Sequence, residues 1–410
     1  MTIDKLNHCR TCLTENPYLF LPMGKHPPAN MFLRPEEVST EQPAFSLNPQ
    51  VCLNCGLIQI LNQIPSDFFR HYLYVPSGSD WMHVHFIELA KVLDEYAGSG
   101  LIVDVGCNDG LLLAAANKNG SRTLGIDPAE NIAKIAAERG VDVHIAYFNV
   151  QTAEEIKQKY GSAKVIVTTN TFHHIEDLHA FMEGIEILLD EEGVFIVEVP
   201  WAKKILEFNQ FDNIYHEHVS EFTVLSILKL GDFFDFDIVN VNKLQVHGGS
   251  MRVLMRRKSN CITSASIVSE MINDERVAGL LGRDTYDTFT ERIEDLKTHL
   301  LKVLWDLKTQ DLKIAGYGAP AKGNTLLNFF DIGIETLDYL VDRNPLKHGL
   351  YSPGKKIPIY GPQVIKENPP DVLLVLAWNF FDEIRNQQAE FEKKGGKFLL
   401  PLPTPNLIGG

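Results

Sequence analysis

Between Trp81 and Tyr96 the apolar residues of WMHVHFIELAKVLDEY recur at helical spacing, which predicts an amphipathic helix. The pattern then changes to short, almost wholly apolar runs. LIVDVG (101–106), TLGID (123–127), VHIAYF (143–148), VIVTTN (165–170) and GVFIVEVP (193–200) read as buried strands, with LLLAAANKNG and AENIAKIAAERG as helices between the first of them. Buried strands alternating with helices predict a mostly parallel sheet covered on both faces. FDIVNVN and GGSMRVLMRR predict a closing antiparallel pair, which brings the count to seven. Residues 262–310 are charged and helical and predict one long connecting helix. A second α/β unit follows, with strands expected in LKIAGYGA (312–319), LDYLVD (337–342) and DVLLVLAW (371–378). The first 75 residues are rich in Pro, Asn and Cys and have little periodicity; such a segment buries too little core to hold together without a staple. The chain divides on this reading into 1–75, 76–260 and 261–410.

A length of 410 residues suits two or three domains. With 45% hydrophobic and 22% charged residues the mixture is that of a soluble globular enzyme. No apolar run approaches the roughly 20 residues that span a bilayer, and MTIDKLNHCR lacks the layout of a secretory signal. The expectation is a cytoplasmic protein that does not bind membranes, for which a monomer is compatible. A net charge of −15 argues against nucleic acid, whose phosphates need a concentrated positive surface. It leaves room for a local pocket for one small anion.

Six cysteines change the picture of the first segment. Cys9-Arg-Thr-Cys12 and Cys52-Leu-Asn-Cys55 are two CxxC pairs with 39 residues between them. A two-residue gap lets a tight turn aim both thiolates at one ion, and two such turns complete a tetrahedral four-thiolate zinc site. With no open ligand position, zinc there staples the fold. Four unrelated buried thiols are the bland alternative. A redox CxxC would open a helix of a thioredoxin-like unit, which this segment does not resemble.

The first strand of the central unit turns into its helix through Asp104-Val105-Gly106-Cys107-Asn108-Asp109-Gly110. Glycines at 106 and 110 let the backbone approach a ligand closely. The GxxxG form lacks the tight pyrophosphate cradle of GxGxxG and suits a nucleoside with an amino-acid tail, favouring S-adenosylmethionine over NAD or FAD. Asp127 ends the second strand, about twenty residues on, where a carboxylate can accept both ribose hydroxyls. Capping a helix ahead of Pro128 is its alternative role. Asn170 ends the fourth strand and faces the same crevice.

Two histidine clusters follow strand ends: Thr171-Phe172-His173-His174 and Tyr215-His216-Glu217-His218. Both fall on the ligand-binding rim of such a sheet. Imidazole is the side chain best suited to take a proton near neutrality, and His, Glu and Tyr together suit deprotonation of a carbon acid. Structural hydrogen bonding, or metal binding without the helical spacing of a zincin, are the alternatives.

The residues resemble, along nearly the whole chain, the zinc-containing sugar C-methyltransferases that act on nucleotide-linked 4-keto deoxysugars. The resemblance rests on the paired CxxC, YLYVPSGS (72–79), VDVGCNDG, FDNIYHEH, VHGGSMR (246–252), GYGAPAKGNT (316–325) and AWN (377–379). It implies that a base removes the C3 proton beside a C4 ketone and that the enolate carbon takes the methyl group. It implies His218 as base with Glu217 assisting, and Tyr215 and His174 as donors to sugar oxygens. The implied cofactor set is Asp104, Gly106, Asn108, Gly110, Asp127, Pro128, Asn170 and Tyr74. The substrate set is Tyr72, His247, Lys322 and Asn324, with Tyr72 or Tyr74 as the tyrosine that closes over the site. The Gly316–Gly318 turn with Lys322 reads as a diphosphate cradle; a ligand-free relic turn, or an NAD site with Asp342 as ribose acid, are the other readings. Rival functions are an N- or O-methyltransferase, an NAD-dependent sugar-nucleotide oxidoreductase and a zinc-bearing binding scaffold.

Overall fold

A computed structural model describes residues 7–61, 64, 75–260 and 263–409. The amino-terminal part carries β1 (Tyr18–Leu19), β2 (Lys25–His26), β3 (Phe45–Ser46), β4 (Pro49–Val51) and β5 (Ile58–Ile60). These strands are too short to enclose a core of their own. They lean instead on the rest of the chain: Cys9, Cys52, Cys55 and Leu57 pack with Phe172, Trp201 and Phe222 of the central unit. Phe20, Leu21 and Met23 share a second core with Tyr286, Phe289 and Ile314.

The helix Asp80–Ala97 buries Met82, Phe86, Leu89, Ala90, Leu93 and Ala97, the 3–4 spacing of its sequence pattern. The central unit follows with β6 (Leu101–Val105), β7 (Arg122–Ile126), β8 (Val143–His144), β9 (Ala163–Thr169), β10 (Leu189–Pro200), β11 (Ser220–Glu221), β12 (Phe236–Leu244) and β13 (Ser250–Arg257). Seven of these form one sheet in the order β12-β13-β10-β9-β6-β7-β8, parallel except for β13, which runs antiparallel to both neighbours. The third strand is shorter than VHIAYF suggests: it lies at the sheet edge, and Ile145 and Tyr147 beyond it are exposed, so nothing rewards extending the pairing. β11 leaves this sheet altogether. It pairs with β5, Ser220 opposite Gln59 and Glu221 opposite Ile58, in a four-stranded sheet β1-β4-β5-β11.

The expected long connecting helix is two helices, Ser266–Val277 and Arg283–Lys308. The break falls at Gly279, whose φ of +74° is the left-handed stop that commonly ends a helix. The second helix buries Tyr286, Phe289, Ile293, Leu296, Leu300, Leu304 and Leu307 along one stripe. The last unit contains β14 (Ile314–Tyr317), β15 (Leu340–Val341), β16 (Ile359–Tyr360), β17 (Val372–Val375), β18 (Lys397–Leu400) and β19 (Asn406–Ile408). Its order is β16-β15-β14-β17-β18-β19, parallel up to the antiparallel β19. Both large sheets are therefore doubly wound, and each reverses strand order beside its first strand, where such sheets open a crevice for ligands. Among the described residues no helix is long and apolar enough to cross a membrane.

Candidate active site

The four cysteines of the CxxC pairs converge. Their sulfurs all lie within 4.8 Å of one another, with Cys9–Cys55 and Cys12–Cys52 both at 3.5 Å. Zinc–sulfur bonds of about 2.3 Å in a tetrahedron give sulfur–sulfur edges of about 3.8 Å, so the cluster fits the ion. Without a cation these thiols could not all ionise: Cys52 and its neighbours drive Cys12 far down, while Cys12 drives Cys55 far up. Thr11 Oγ1 lies 3.3 Å from both Cys9 and Cys55 Sγ, and Thr14 Oγ1 lies 3.2 Å from Cys12 Sγ, forming an outer shell.

At the carboxyl edge of the central sheet, Gly106 has φ +81°, and a Cβ there would come within 2.1 Å of Thr171 Oγ1. Only glycine fits, and the turn after β6 is thereby pressed against the turn after β9. Asn108 and Asn170, with φ of +47° and +50°, bend the chain at the same rim, and Gly110 leads into the helix Leu111–Lys118. Asp127 accepts the backbone N–H of Asn108 and of Ala129, both at 2.9 Å. Burial raises its pKa and those two amides oppose the shift. Two N–H bonds leave a carboxylate capacity for further donors, so capping and ribose binding are compatible at this residue. Asp104 lies in the buried strand beside it; burial, then the Asp127 charge, pushes its pKa up to about 8. The buried Asp104 Oδ1 has no hydrogen-bond partner among the described residues. Together these residues form a cradle that fits an adenosyl amino acid.

The segment after β10 holds the second cluster. Tyr215 Oη lies 2.5 Å from His218 Nε2, and both side chains are buried. The His173 and His218 rings are 3.9 Å apart between centroids, and His174 is 4.9 Å from His218. Burial, helped by His173, His174 and Lys322, depresses the His218 pKa well below its ordinary value. Burial likewise lowers His174 to about 4, against the pull of the Glu217 and Asn170 carbonyls; His174 Nδ1 is 2.7 Å from the Glu217 carbonyl oxygen. The Glu217 carboxylate accepts two contacts from Asn30 Nδ2, at 2.9 and 2.8 Å. Glu221 Oε1 lies 3.3 Å from His218 Nδ1.

The last sheet meets this segment. Trp378, after β17, donates from Nε1 to Asp212 Oδ2 at 2.7 Å, and the Lys322 ammonium sits 5.4 Å over the Trp378 ring. Lys322 Nζ is buried without a hydrogen-bond partner among the described residues, as are Asp212 Oδ1 and both Glu221 oxygens. Burial lifts Asp212 to about 6 although Lys322 pulls it down. Gly248, with φ +87°, lets the VHGG turn press on the same Trp378 ring, 2.8 Å from where a Cβ would stand. FDNIYHEH, VHGGSMR, GYGAPAKGNT and AWN are thus gathered at one contact between the two carboxyl edges.

The structure revises the reading of the glycine turn as a cradle for diphosphate. Its amides are used internally: Gly316 N–H donates to Tyr339 O, Gly318 N–H to Val341 O, and Ala319 N–H to Asp342 Oδ2. Asp342 also accepts from Asn344 N–H and lies 3.5 Å from Lys347 Nζ. Asn324 is buried and donates Nδ2 to the Ala29 carbonyl at 2.8 Å, tying the last unit to the first. Tyr72 and Tyr74 lie outside the described residues, as does the side chain of His247.

Sequence reasoning did not single out Asp212, Glu221 or Trp378, nor the buried cluster in which Glu198 meets His85 Nε2 at 2.5 Å and Arg252 Nε at 2.9 Å. A lone acid inside the apolar run FIVEVP was the available signal for Glu198, since a buried charge requires partners.

Family models match three stretches: a zinc binding domain over residues 9–69, a methyltransferase domain over 85–241 and a C-methyltransferase C-terminal domain over 245–403. The C-methyltransferase NovU of Streptomyces niveus is 33% identical over 410 residues, covering 99% of this chain and 98% of its own. A ubiquinone biosynthesis O-methyltransferase of Acinetobacter baylyi is 28% identical over 124 residues, 28% of this chain and 52% of its own. A methyltransferase from Anabaena variabilis superposes on 44% of the chain with a TM-score of 0.37 at 19% identity, covering 86% of its own length.

Proposed function

The chain belongs to the zinc-containing C-methyltransferase family, and from that premise we propose that it methylates C3 of a nucleotide-linked 4-keto deoxysugar through an enolate. The observation that carries the reading is the buried Tyr215–His218 pair at 2.5 Å, on the rim that also bears the cofactor cradle. A carbon becomes a nucleophile only after losing a proton, so C-methylation requires a base, whereas an amine can be methylated by proximity alone. The depressed pKa keeps His218 neutral at working pH, free to accept. S-adenosylmethionine, when bound, supplies the electrophilic methyl group. Asp127 holds the ribose hydroxyls, Gly106 clears space for the backbone to close on the ligand, and Asn108 and Asn170 shape the rim. The electron pair of the broken C–H bond moves onto the ketone oxygen, where Tyr215, His174 and the Lys322 ammonium stand as candidate stabilisers of charge. Any pull on the diphosphate falls to Lys322 rather than to the Gly316, Gly318 and Ala319 amides, which bond internally. Tyr72, Tyr74 and His247 complete the proposed substrate and cofactor set.

The test is hydrogen exchange in D2O on a panel of 4-keto sugar nucleotides, with adenosylhomocysteine in the cofactor site. Deuterium should enter at C3, and His218→Ala should abolish both exchange and methylation while adenosylhomocysteine still binds. A base contributes about 10²–10⁴-fold; a loss below tenfold, or exchange at another carbon, refutes the assignment. Survival of the variant on an O- or N-nucleophile would favour the simpler methyltransferase reading.

A further inference from the structure

We infer that Glu221, on the strand shared with the zinc module, is the residue that positions His218, so that Tyr215, His218 and Glu221 form one relay. The inference rests on the assignment of His218 as base made above. A polar group stands beside each ring nitrogen of His218: Nε2 pairs with Tyr215 Oη at 2.5 Å, and Nδ1 has Glu221 Oε1 within ion-pair range at 3.3 Å. The neighbouring Glu217 carboxylate bonds to Asn30 through both oxygens. Both oxygens of Glu221 and Nδ1 of His218 are buried and have no hydrogen-bond partner among the described residues, so the carboxyl is not committed elsewhere.

A carboxyl facing Nδ1 selects the tautomer with hydrogen on Nδ1, which leaves the Nε2 lone pair on the Tyr215 side. In the transfer the substrate C–H bond breaks, its electron pair enters the enolate, and Tyr215 Oη takes the proton as its own hydrogen passes to Nε2. The imidazole then carries a positive charge amid His173, His174 and the Lys322 ammonium, and all three disfavour it. Glu221 is the anion within reach that offsets them. Burial raises its own pKa strongly while the Lys322 ammonium opposes the rise, and that ammonium is the counter-charge near the Glu221 anion while His218 rests neutral. Backbone pairing fixes the geometry: Ile60 N–H and Arg10 Nη1 both donate to the Val219 carbonyl, at 3.1 and 3.0 Å, two residues before Glu221.

Glu221→Gln keeps an acceptor for Nδ1–H but cannot become an anion, whereas Glu221→Asp keeps the charge at a shorter reach. We expect Glu221→Gln to lower kcat by at least tenfold, with KM for both substrates within about twofold and zinc content unchanged. A base must be unprotonated to work, and losing the anion lowers its pKa, so the acid limb of kcat/KM should move to lower pH. Glu221→Asp should recover part of the rate. Wild-type kcat with an unmoved limb in Glu221→Gln overturns the inference, as do rates that merely follow melting temperature across the two variants. If instead His218→Ala retains C–H exchange, the base assignment itself fails, whatever Glu221 does.

Discussion

Replacing Asp127 by alanine probes the cofactor site at the residue with the best-defined surroundings. Its carboxylate holds two backbone amides at 2.9 Å, from Asn108 in the glycine turn and from Ala129 at the start of the next helix. Truncation strands both donors in a site where Asp127 itself is only 7% exposed. A stranded buried donor costs about 1–3 kcal/mol, so the free protein should lose roughly 2–6 kcal/mol at most. Relief of the carboxylate's own burial, visible in its raised pKa, returns part of that. Cofactor binding loses two charge-assisted bonds to ribose hydroxyls as well, on the order of 2–4 kcal/mol net. That corresponds to a Kd weaker by roughly 30- to 1000-fold. Titration calorimetry with adenosylhomocysteine measures the affinity, and thermal melting of the free protein measures the structural share. If melting falls while Kd stays the same, Asp127 only caps the helix and holds the turn, and the cofactor's ribose lies elsewhere.

Stripping zinc, or Cys9→Ser, should reduce methyl transfer as well as stability, because β5 of the zinc module is the pairing partner of β11; full kcat in metal-free protein, checked by elemental analysis, would show the module to be separable. Asp104, held near a pKa of about 8, binds a proton in the folded chain that the unfolded chain gives up near 3.8. Stability therefore falls as pH rises between those values. Unfolded imidazoles still bind protons near pH 6.5 and give the opposite slope there, so the window is about pH 7.5–8.5, where the depressed histidines are neutral in both states. Urea unfolding of the cofactor-free protein should show this decline, shallower in Asp104→Asn; an equal slope in the variant counts against a protonated Asp104.

The succession of strands and helices, the zinc cysteines and the rim glycines were legible because each is written in local spacing: period, CxxC, a glycine turn after an apolar strand. The single long helix misled because its charge pattern continues through Gly279 and Gly282, and only the positive φ ends it. The charged chamber was not legible. Lys322 stands on the last unit and Asp212 and Glu221 on the central stretch, and no spacing along the chain announces that an ammonium from the last unit will lie near an acid on the strand that pairs with the zinc module. The resemblance implied Glu217 as the helper of His218; no spacing along the chain showed that Asn30 would bond the Glu217 carboxylate or that Glu221 would stand 3.3 Å from His218 Nδ1.

The bonds that close the site also span the chain. Asn30 reaches Glu217 across 187 positions, Trp378 reaches Asp212 across 166, and Asn324 reaches Ala29 across 295. Contacts of such separation form late, since loop closure must precede any reward from them. During synthesis the methyl-transfer fold can emerge and collapse well before Lys322 and Trp378 leave the ribosome. A nascent or truncated chain would thus hold cofactor before it could hold a competent base. Acquisition of activity in a refolding experiment should accordingly trail acquisition of adenosylhomocysteine binding, and the lag measures the docking of the last unit.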